Sequence, residues 1–327
     1  MSRTAKVNIA SVHPPSSGPM DVRDSILDCI GSTPLVALDR FAPPEDGRAR
    51  VLAKMELMNP YSVKDRPALW MLREAHRRGE IEPGRTTIIE ATSGNTGIGL
   101  AMVSTILGYD LVLCMSEGMS EERKAILRAL GARLELTPAP LHTKGAKARA
   151  LELLEELPEG YYICQHDNMD NRQAHIDSTA EELWEQTDGG MSALVAGLGT
   201  CGTLTGVATA LKPRNPDLLI VGVEPAEAPY YRTGEFVQHK IPGVVPGFTP
   251  GIYDADLVDR LVDVPAEVAW QSVRDLAHTE GIMAGITSGA TAWAARELAG
   301  ESEMAGGMVV CIVADTGERY LSTKGLW

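Results

Sequence analysis

The sequence predicts an α/β fold of mostly parallel sheet under helical cover, divided between two subdomains. Three observations carry this. Short apolar, β-branched runs alternate with helical segments through most of the chain, and strands linked through helices pair in parallel. Glycine-rich turns at Thr92–Gly97, Gly197–Thr203 and Gly285–Ala290 each precede a helical segment. A chain of 327 residues, 44% of them hydrophobic, is longer than one small core organises and too apolar for wholesale disorder.

Residues 1–24 read as an N-terminal arm, loosely held or used as an oligomer contact. Asp24–Ile30 has the pattern of a short amphipathic helix, Gly31-Ser32-Thr33-Pro34-Leu35-Val36 is a turn into a strand, and Val51–Met55 is a second strand. A helix follows over Pro67–Ala75. Thr86–Glu90 is a buried strand, Ile98–Leu107 a helix, Asp110–Met115 a strand, and Glu121–Leu130 a helix that Gly131 closes. Arg133–Leu136 and Gly145–Leu157 continue as strand and helix. Residues 175–187 form a helix with Trp184 on its apolar face. Ser192–Ala196 is a strand, Thr203–Leu211 a helix and Leu218–Val223 a strand. Ala266–Glu280 and Ser288–Leu298 are helices, and Met308–Val313 is a late strand central to its sheet.

A net charge of −14 argues against nucleic acid or an anionic membrane as the main partner. The five cysteines are scattered, odd in number and without a C-x-x-C pair. That fits reduced thiols in the cytoplasm better than a disulfide framework or a zinc site. The polar stretch Met1–Gly18 lacks the apolar core of a signal peptide, and the apolar run Ile98–Met115 is broken by Gly99, Ser104, Gly108 and Asp110.

Lys64, in Asn59-Pro60-Tyr61-Ser62-Val63-Lys64-Asp65-Arg66, stands at the start of a helix. The macrodipole there disfavours an ammonium, so a shielded amine could act as a nucleophile; a solvated surface lysine has the same local signature. Thr92-Ser93-Gly94-Asn95-Thr96-Gly97, between strand and helix, offers amides and hydroxyls to an anion, as a plain capped turn would. Gly197-Leu198-Gly199-Thr200-Cys201-Gly202-Thr203 satisfies G-x-G-x-x-G, with an acid, Glu224, at a later strand end. It reads either as a dinucleotide fingerprint or as a cup for one phosphomonoester.

In this order the segments resemble the fold-type-II pyridoxal-phosphate enzymes, specifically the cysteine synthase and cystathionine β-synthase family. Members read Asn-Pro-x-Gly-Ser-Val-Lys-Asp-Arg, Gly-Thr-Gly-Gly-Thr and Gly-x-Ser-Ser-Gly at the corresponding places. The resemblance runs from about residue 25 to the end of the sequence. Weaker matches are Gln165, His239-Lys240-Ile241-Pro242-Gly243 and Asp315-Thr316-Gly317-Glu318-Arg319-Tyr320-Leu321-Ser322. It implies a tryptophan synthase β-like architecture, two three-layer αβα subdomains with mostly parallel twisted sheets. Residues 25–165 would carry the Schiff-base lysine and a mobile substrate loop, and residues 166–327 the phosphate cup. It implies pyridoxal 5′-phosphate as cofactor, with Lys64 as the Schiff-base residue and catalytic base. Asn95 would bond the cofactor's 3′-oxygen. Gly199, Thr200, Cys201, Gly202 and Thr203 would hold its phosphate, with Gly243 nearby. Thr287, ahead of Ser288, would meet the ring nitrogen. Thr92, Ser93, Thr96 and Gln165 would grip the substrate carboxylate. A neutral hydroxyl on the ring nitrogen suits β-elimination and replacement better than transamination. The two additional loops favour the cup over the dinucleotide reading, because hydride transfer needs neither.

Besides Thr287 in place of a serine, the sequence departs from the family at three places. The lysine loop is one residue shorter, with Tyr61 beside Ser62. Cys201 replaces a glycine, a change that leaves the cup amides in place if φ there is negative. Pro242 replaces a glutamine. The implied reaction is β-replacement on O-acetylserine or O-phosphoserine by sulfide or a thiol, giving cysteine with sulfide. Arg66, Arg123, Arg172 and Arg232 are the cations a phosphorylated donor could use. Cystathionine synthesis, an amine nucleophile, serine/threonine dehydration, a dinucleotide oxidoreductase and a binding protein that kept the fold are the alternatives. A homodimer is implied. The histidines, His175 included, lack metal-ligand spacing and are expected to be surface or capping groups, and no metal is expected.

Overall fold

The computed structural model describes residues 22–44 and 47–327, so nearly all of the expected arm lies outside the described residues. In chain order the elements are β1 (Leu35–Ala37), β2 (Arg50–Lys54), α1 (Asp65–Arg77), β3 (Thr87–Ala91), α2 (Asn95–Leu107), β4 (Asp110–Ser116), α3 (Glu121–Ala129), β5 (Arg133–Thr137), α4 (His142–Glu156) and β6 (Gly160–Tyr162). They continue as α5 (Met169–Ala174), a π-helical stretch (His175–Ala180), α6 (Glu181–Gln186), β7 (Ala193–Gly197), α7 (Gly202–Leu211), β8 (Leu219–Pro225), α8 (Tyr230–Thr233), β9 (Arg260–Val264), α9 (Ala266–Glu280), α10 (Ile286–Ala299) and β10 (Met308–Ile312). The expected helix over Asp24–Ile30 is a single 3-10 turn, Ile26–Cys29. Ser25 and Asp28 close a capping box across it, and four residues are too few to propagate an α-helix.

The chain divides into two compact units that are not contiguous in sequence: one contains 64–171 and the described residues up to Ile30, the other 31–63 and 172–327. The first unit holds a parallel four-stranded sheet of order β5-β4-β3-β6. Alternation along its strands separates two faces. Ile89, Ala91, Val112 and Cys114 pack against Ala146, Ala150 and Leu153 of α4. Leu113 points the other way, toward Gly97 of α2. With both faces covered, the inner strands β3 and β4 are mostly apolar, whereas the edge strand β5, Arg-Leu-Glu-Leu-Thr, alternates.

The second unit holds a six-stranded sheet of order β1-β2-β10-β7-β8-β9, in which only β1 runs antiparallel to its neighbour. Val51, Ala53, Val195, Val221, Val309 and Cys311 face the α9–α10 layer. Leu52, Leu194, Ala196, Ile220, Val310 and Ile312 face the layer of α6 and α7. The register Leu52↔Val310 brings β2 beside β10, which draws residues 31–63 into this unit. Strands β6 and β9 are additions to the elements expected from sequence. Both lie at the edge of their sheets, where Gly160-Tyr161-Tyr162 and Arg260–Val264 stay half exposed and lack an apolar signature.

Candidate functional site

In open parallel sheets, ligands bind beyond the carboxyl ends of the strands. The motif-bearing loops follow β2, β3, β7 and β10, and each is described within its own unit.

The lysine loop is held along the end of β10. Leu57 N–H donates to Val313 O and Val63 N–H to Ala314 O, both at 2.9 Å. Ser62 bridges Asp315, and Arg319 Nη2 donates to Tyr61 O at 2.8 Å. Through Arg319, the closing Gly-Glu-Arg-Tyr motif clamps the backbone of the shortened loop. Upstream, Asn59 Oδ1 accepts from Gly31 N–H at 2.8 Å, and its amide donates to Glu56. Thr33 Oγ1 donates to the same carboxylate at 2.7 Å. The Gly-Ser-Thr-Pro turn and the Asn-Pro start of the lysine loop are thus one buried network. Lys64 is the next residue after this clamped stretch.

In the first unit, Lys64 is the N-cap of α1, helical at φ −77° and ψ −10°, with no capping bond from its side chain. The helix therefore does not use that side chain as its cap. Any Cβ at Gly99 would stand 3.0 Å from Lys64 O and 3.1 Å from Asp65 Oδ1. Glycine there lets α2 approach the first turn of α1 closely. The start of α2 is the substrate-loop candidate. Thr92, Ser93 and Asn95 are half-buried, and Thr96 is buried. Thr92 Oγ1 accepts from Gly94 N–H, and Thr96 Oγ1 donates to Gln165 Oε1 at 2.5 Å. Gln165 is fixed in turn, its N–H donating to Glu90 Oε2 at 3.1 Å and its carbonyl accepting from Asn171 Nδ2 at 2.7 Å. Lys64, Thr96 and Gln165 are therefore linked through the opening turns of α1 and α2.

Burial shifts two titratable groups here. His166, expected at the surface, is half-buried, and desolvation together with the nearby Lys64 charge pushes its imidazole down to about 4. It is neutral at physiological pH. Glu90, at the end of β3, is fully buried, and desolvation raises its carboxyl from 4.5 to about 7 even though Gln165 and Ala91 N–H groups donate to it. A raised carboxyl favours the fold most below pH 4.5, and that contribution is lost as pH rises through 7. The shift corresponds to about 3 kcal/mol. Urea unfolding of wild type and Glu90→Gln at pH 4.5 and pH 8 is expected to show wild type losing about that much more stability across the interval. Parallel pH profiles would contradict it.

In the second unit, the turn after β7 leads into α7. Cys201 is its N-cap and lies at φ +68°. The fold does not adopt the negative φ that would make the glycine replacement harmless. A left-handed conformation costs a non-glycine residue roughly 1 kcal/mol. The buried thiol packs 3.2 Å from Tyr231 Oη, which holds it in place. A Cβ on Gly199 would collide with the carbonyl oxygen of Gly243, and one on Gly197 would approach Thr287 Cγ2 to 2.9 Å. The cup, Gly243 and Thr287 are thus contiguous. Thr287 Oγ1 donates to Pro242 O at 2.5 Å, whereas Ser288 Oγ accepts from Ala314 N–H at 2.9 Å and is fully buried. Of the two hydroxyls, only Thr287 stands at the cup.

These contacts disfavour a dinucleotide. The second glycine of the fingerprint, Gly199, is where a pyrophosphate would need open backbone, and Gly243 O covers it. Glu224, the would-be ribose acid, is fully buried with Oε2 accepting from Tyr231 N–H at 2.8 Å. A single phosphomonoester fits: the first turn of a ten-residue helix, the small residues Gly199 and Gly202, and the Thr200 and Thr203 hydroxyls form a cradle for one anion. Of the cations considered for a phosphorylated donor, Arg172 bonds Thr209 and pairs with Asp254, and Arg232 bonds Leu261 O and Asp263. His175, another residue expected at the surface, is fully buried beside the cup, with Nε2 3.2 Å from Thr203 Oγ1.

Comparison with known proteins agrees with this chemistry. A probable cysteine synthase of Bacillus subtilis is 44% identical over 304 residues, covering 92% of this chain and 96% of the relative. The crystal structure of an O-acetyl serine sulfhydrylase isoform from Entamoeba histolytica matches with a TM-score of 0.91 and 37% identity, over 95% of this chain and 93% of that one. The structure of an O-ureido-L-serine synthase matches with a TM-score of 0.88 and 41% identity, over 93% and 95%. Residues 26–315 match the family described as pyridoxal-phosphate dependent enzyme, and the chain belongs to that family.

Proposed function

We propose that this enzyme catalyses β-replacement on O-acetylserine with sulfide, giving L-cysteine and acetate. The observation that carries the reading is Lys64 at the opening turn of α1, its carbonyl packed on Gly99 of the helix that begins with the Thr92–Gly97 loop. A base and an anion-binding loop thus share one unit, as removal of a proton from an amino acid's α-carbon requires.

Pyridoxal phosphate, when bound, supplies the electron sink that acidifies that proton. Lys64 is the residue that attaches the cofactor, and its amine takes the α-proton and later returns it. Amides and hydroxyls of Thr92, Ser93 and Thr96, with Gln165, orient the substrate carboxylate, and Asn95 bonds the 3′-oxygen. The amides of Gly199–Thr203 and the hydroxyls of Thr200 and Thr203 hold the phosphate. Thr287, whose hydroxyl donates to Pro242 O, would turn that hydrogen to the ring nitrogen and give it a neutral partner, which favours replacement over transamination. Acetate leaves from the β-carbon and sulfide adds there. Two of the four arginines considered for O-phosphoserine, Arg172 and Arg232, already have acidic partners, which supports O-acetylserine as the donor. The free thiols and the family resemblance support a cytoplasmic homodimer, and no helix among the described residues is long and apolar enough to cross a membrane.

The test is a visible spectrum of the loaded enzyme titrated with O-acetylserine, O-phosphoserine and serine, each followed by sulfide. O-acetylserine is expected to shift the cofactor band and sulfide to restore it with release of cysteine. A response to serine alone, or recovery with an amine but not with sulfide, would assign a different replacement reaction.

A further inference from the structure

The cup lies against a π-helical stretch, His175–Ala180, and such stretches recur at functional sites. Its first residue is enclosed by two hydroxyls. His175 Nδ1 lies 2.9 Å from Thr179 Oγ1, and Nε2 lies 3.2 Å from Thr203 Oγ1. His175 and Thr179 are fully buried. The approach is built into the packing: a Cβ on Gly206, in α7, would stand 2.7 Å from Arg172 O and 2.8 Å from His175 Cβ. Only glycine lets α7 come this close.

A neutral imidazole has one N–H and one acceptor nitrogen, so the chain of hydroxyls has two possible directions. With the proton on Nδ1, the ring donates to Thr179 and accepts from Thr203, and the Thr203 hydrogen then points away from the cup. With the proton on Nε2, Thr179 donates to Nδ1 and the ring donates to Thr203, whose own hydrogen is then available to a phosphate oxygen. A phosphate dianion accepts hydrogen bonds and donates none, so only the second direction adds a donor to the cup, and charge-assisted bonds are the strong ones.

We propose that Thr179 and His175 are positioning residues that set the direction of the Thr203 hydroxyl, holding His175 as the neutral Nε2–H tautomer so that Thr203 donates to the cofactor phosphate. The inference rests on the cup reading given above. Thr179 Oγ1 meets His175 at Nδ1, the ring nitrogen away from Thr203, and its hydroxyl determines what Thr203 offers.

The experiment is long-range proton–nitrogen NMR of the pyridoxal-phosphate-loaded enzyme, with the His175 signals identified by their loss in His175→Gln. The proton is expected on Nε2. A proton on Nδ1, or a doubly protonated ring, overturns the inference. In parallel, Thr179→Val is expected to weaken binding of pyridoxal phosphate about tenfold, to leave binding of pyridoxal without its phosphate unchanged, and to be rescued by Thr179→Ser. Equal weakening toward both, or toward neither, also overturns it. A chain that never takes up pyridoxal phosphate would sink the proposed function instead, whichever nitrogen carries the proton.

Discussion

Lys64→Ala is expected to abolish turnover, lowering the rate by at least about 10³-fold, because in the function proposed here one substitution removes both the attachment of the cofactor and the base at the α-carbon. The fold is expected to survive. Lys64 makes no side-chain capping bond to α1, and the loop before it is held by backbone contacts to Val313 and Ala314 and by the Arg319 guanidinium on Tyr61 O. Alanine keeps all of these. Two measurements separate the outcomes: borohydride fixation followed by peptide mapping, which should place the cofactor on Lys64 in wild type and find no adduct in the variant, and circular dichroism, which should leave the two indistinguishable. A variant that turns over at the wild-type rate would refute the assignment of Lys64, and an unfolded one would refute the claim that folding does not need its side chain.

Gly199→Ala is the second large effect. The added methyl group would run into the carbonyl oxygen of Gly243, which is backbone and has no rotamer to escape into. Gly243 lies at φ +91°, a conformation that glycine adopts readily and other residues do not. Val245 N–H, donating to Leu198 O at 2.8 Å, ties the same two segments together. Relief must come from the turn itself, and the amides aimed at the phosphate move with it. We expect affinity for pyridoxal phosphate to fall about a hundredfold, equivalent to about 2.7 kcal/mol, with a smaller loss for pyridoxal lacking the phosphate. Equilibrium titration followed by cofactor fluorescence measures both. Wild-type affinity for pyridoxal phosphate would mean that the Gly199–Thr203 turn is not the phosphate cup.

The choice between a dinucleotide fingerprint and a phosphate cup illustrates how far the sequence could be read. G-x-G-x-x-G with a later acid is a local pattern, and it is present. What decides the matter is non-local: Gly243 O sits on Gly199, and burial takes Glu224 out of reach of any ribose. Thr287 and Ser288 pose a similar problem. They are adjacent hydroxyls in one motif, and only tertiary contact with Ala314 N–H assigns Ser288 to the backbone. The backbone of Cys201 and the burial of His175 were not legible in the sequence for a related reason. Backbone φ at a helix entry is set by how the turn must fit its neighbours, and a histidine buried between threonines carries no periodic signature. His175 could have been suspected only from its place in a helix that leads toward Trp184 with an apolar face.

By itself the sequence determined the α/β class and most of the order of strands and helices, and it singled out the residues proposed to carry the chemistry. Each of these is encoded locally, in side-chain periodicity, in glycines before helices and in one lysine at a helix start. Only the tertiary structure decided that β2 pairs with β10, so that residues 31–63 belong with the later half of the chain. It alone decided that Cys201 takes a left-handed conformation and that a buried histidine stands behind Thr203. The physical reason is the same in each case. Two covered sheet faces make the central strands mostly apolar, so the strands reveal that they are buried but not which neighbour they meet, and the groups packed against the cup come from segments far apart in the chain.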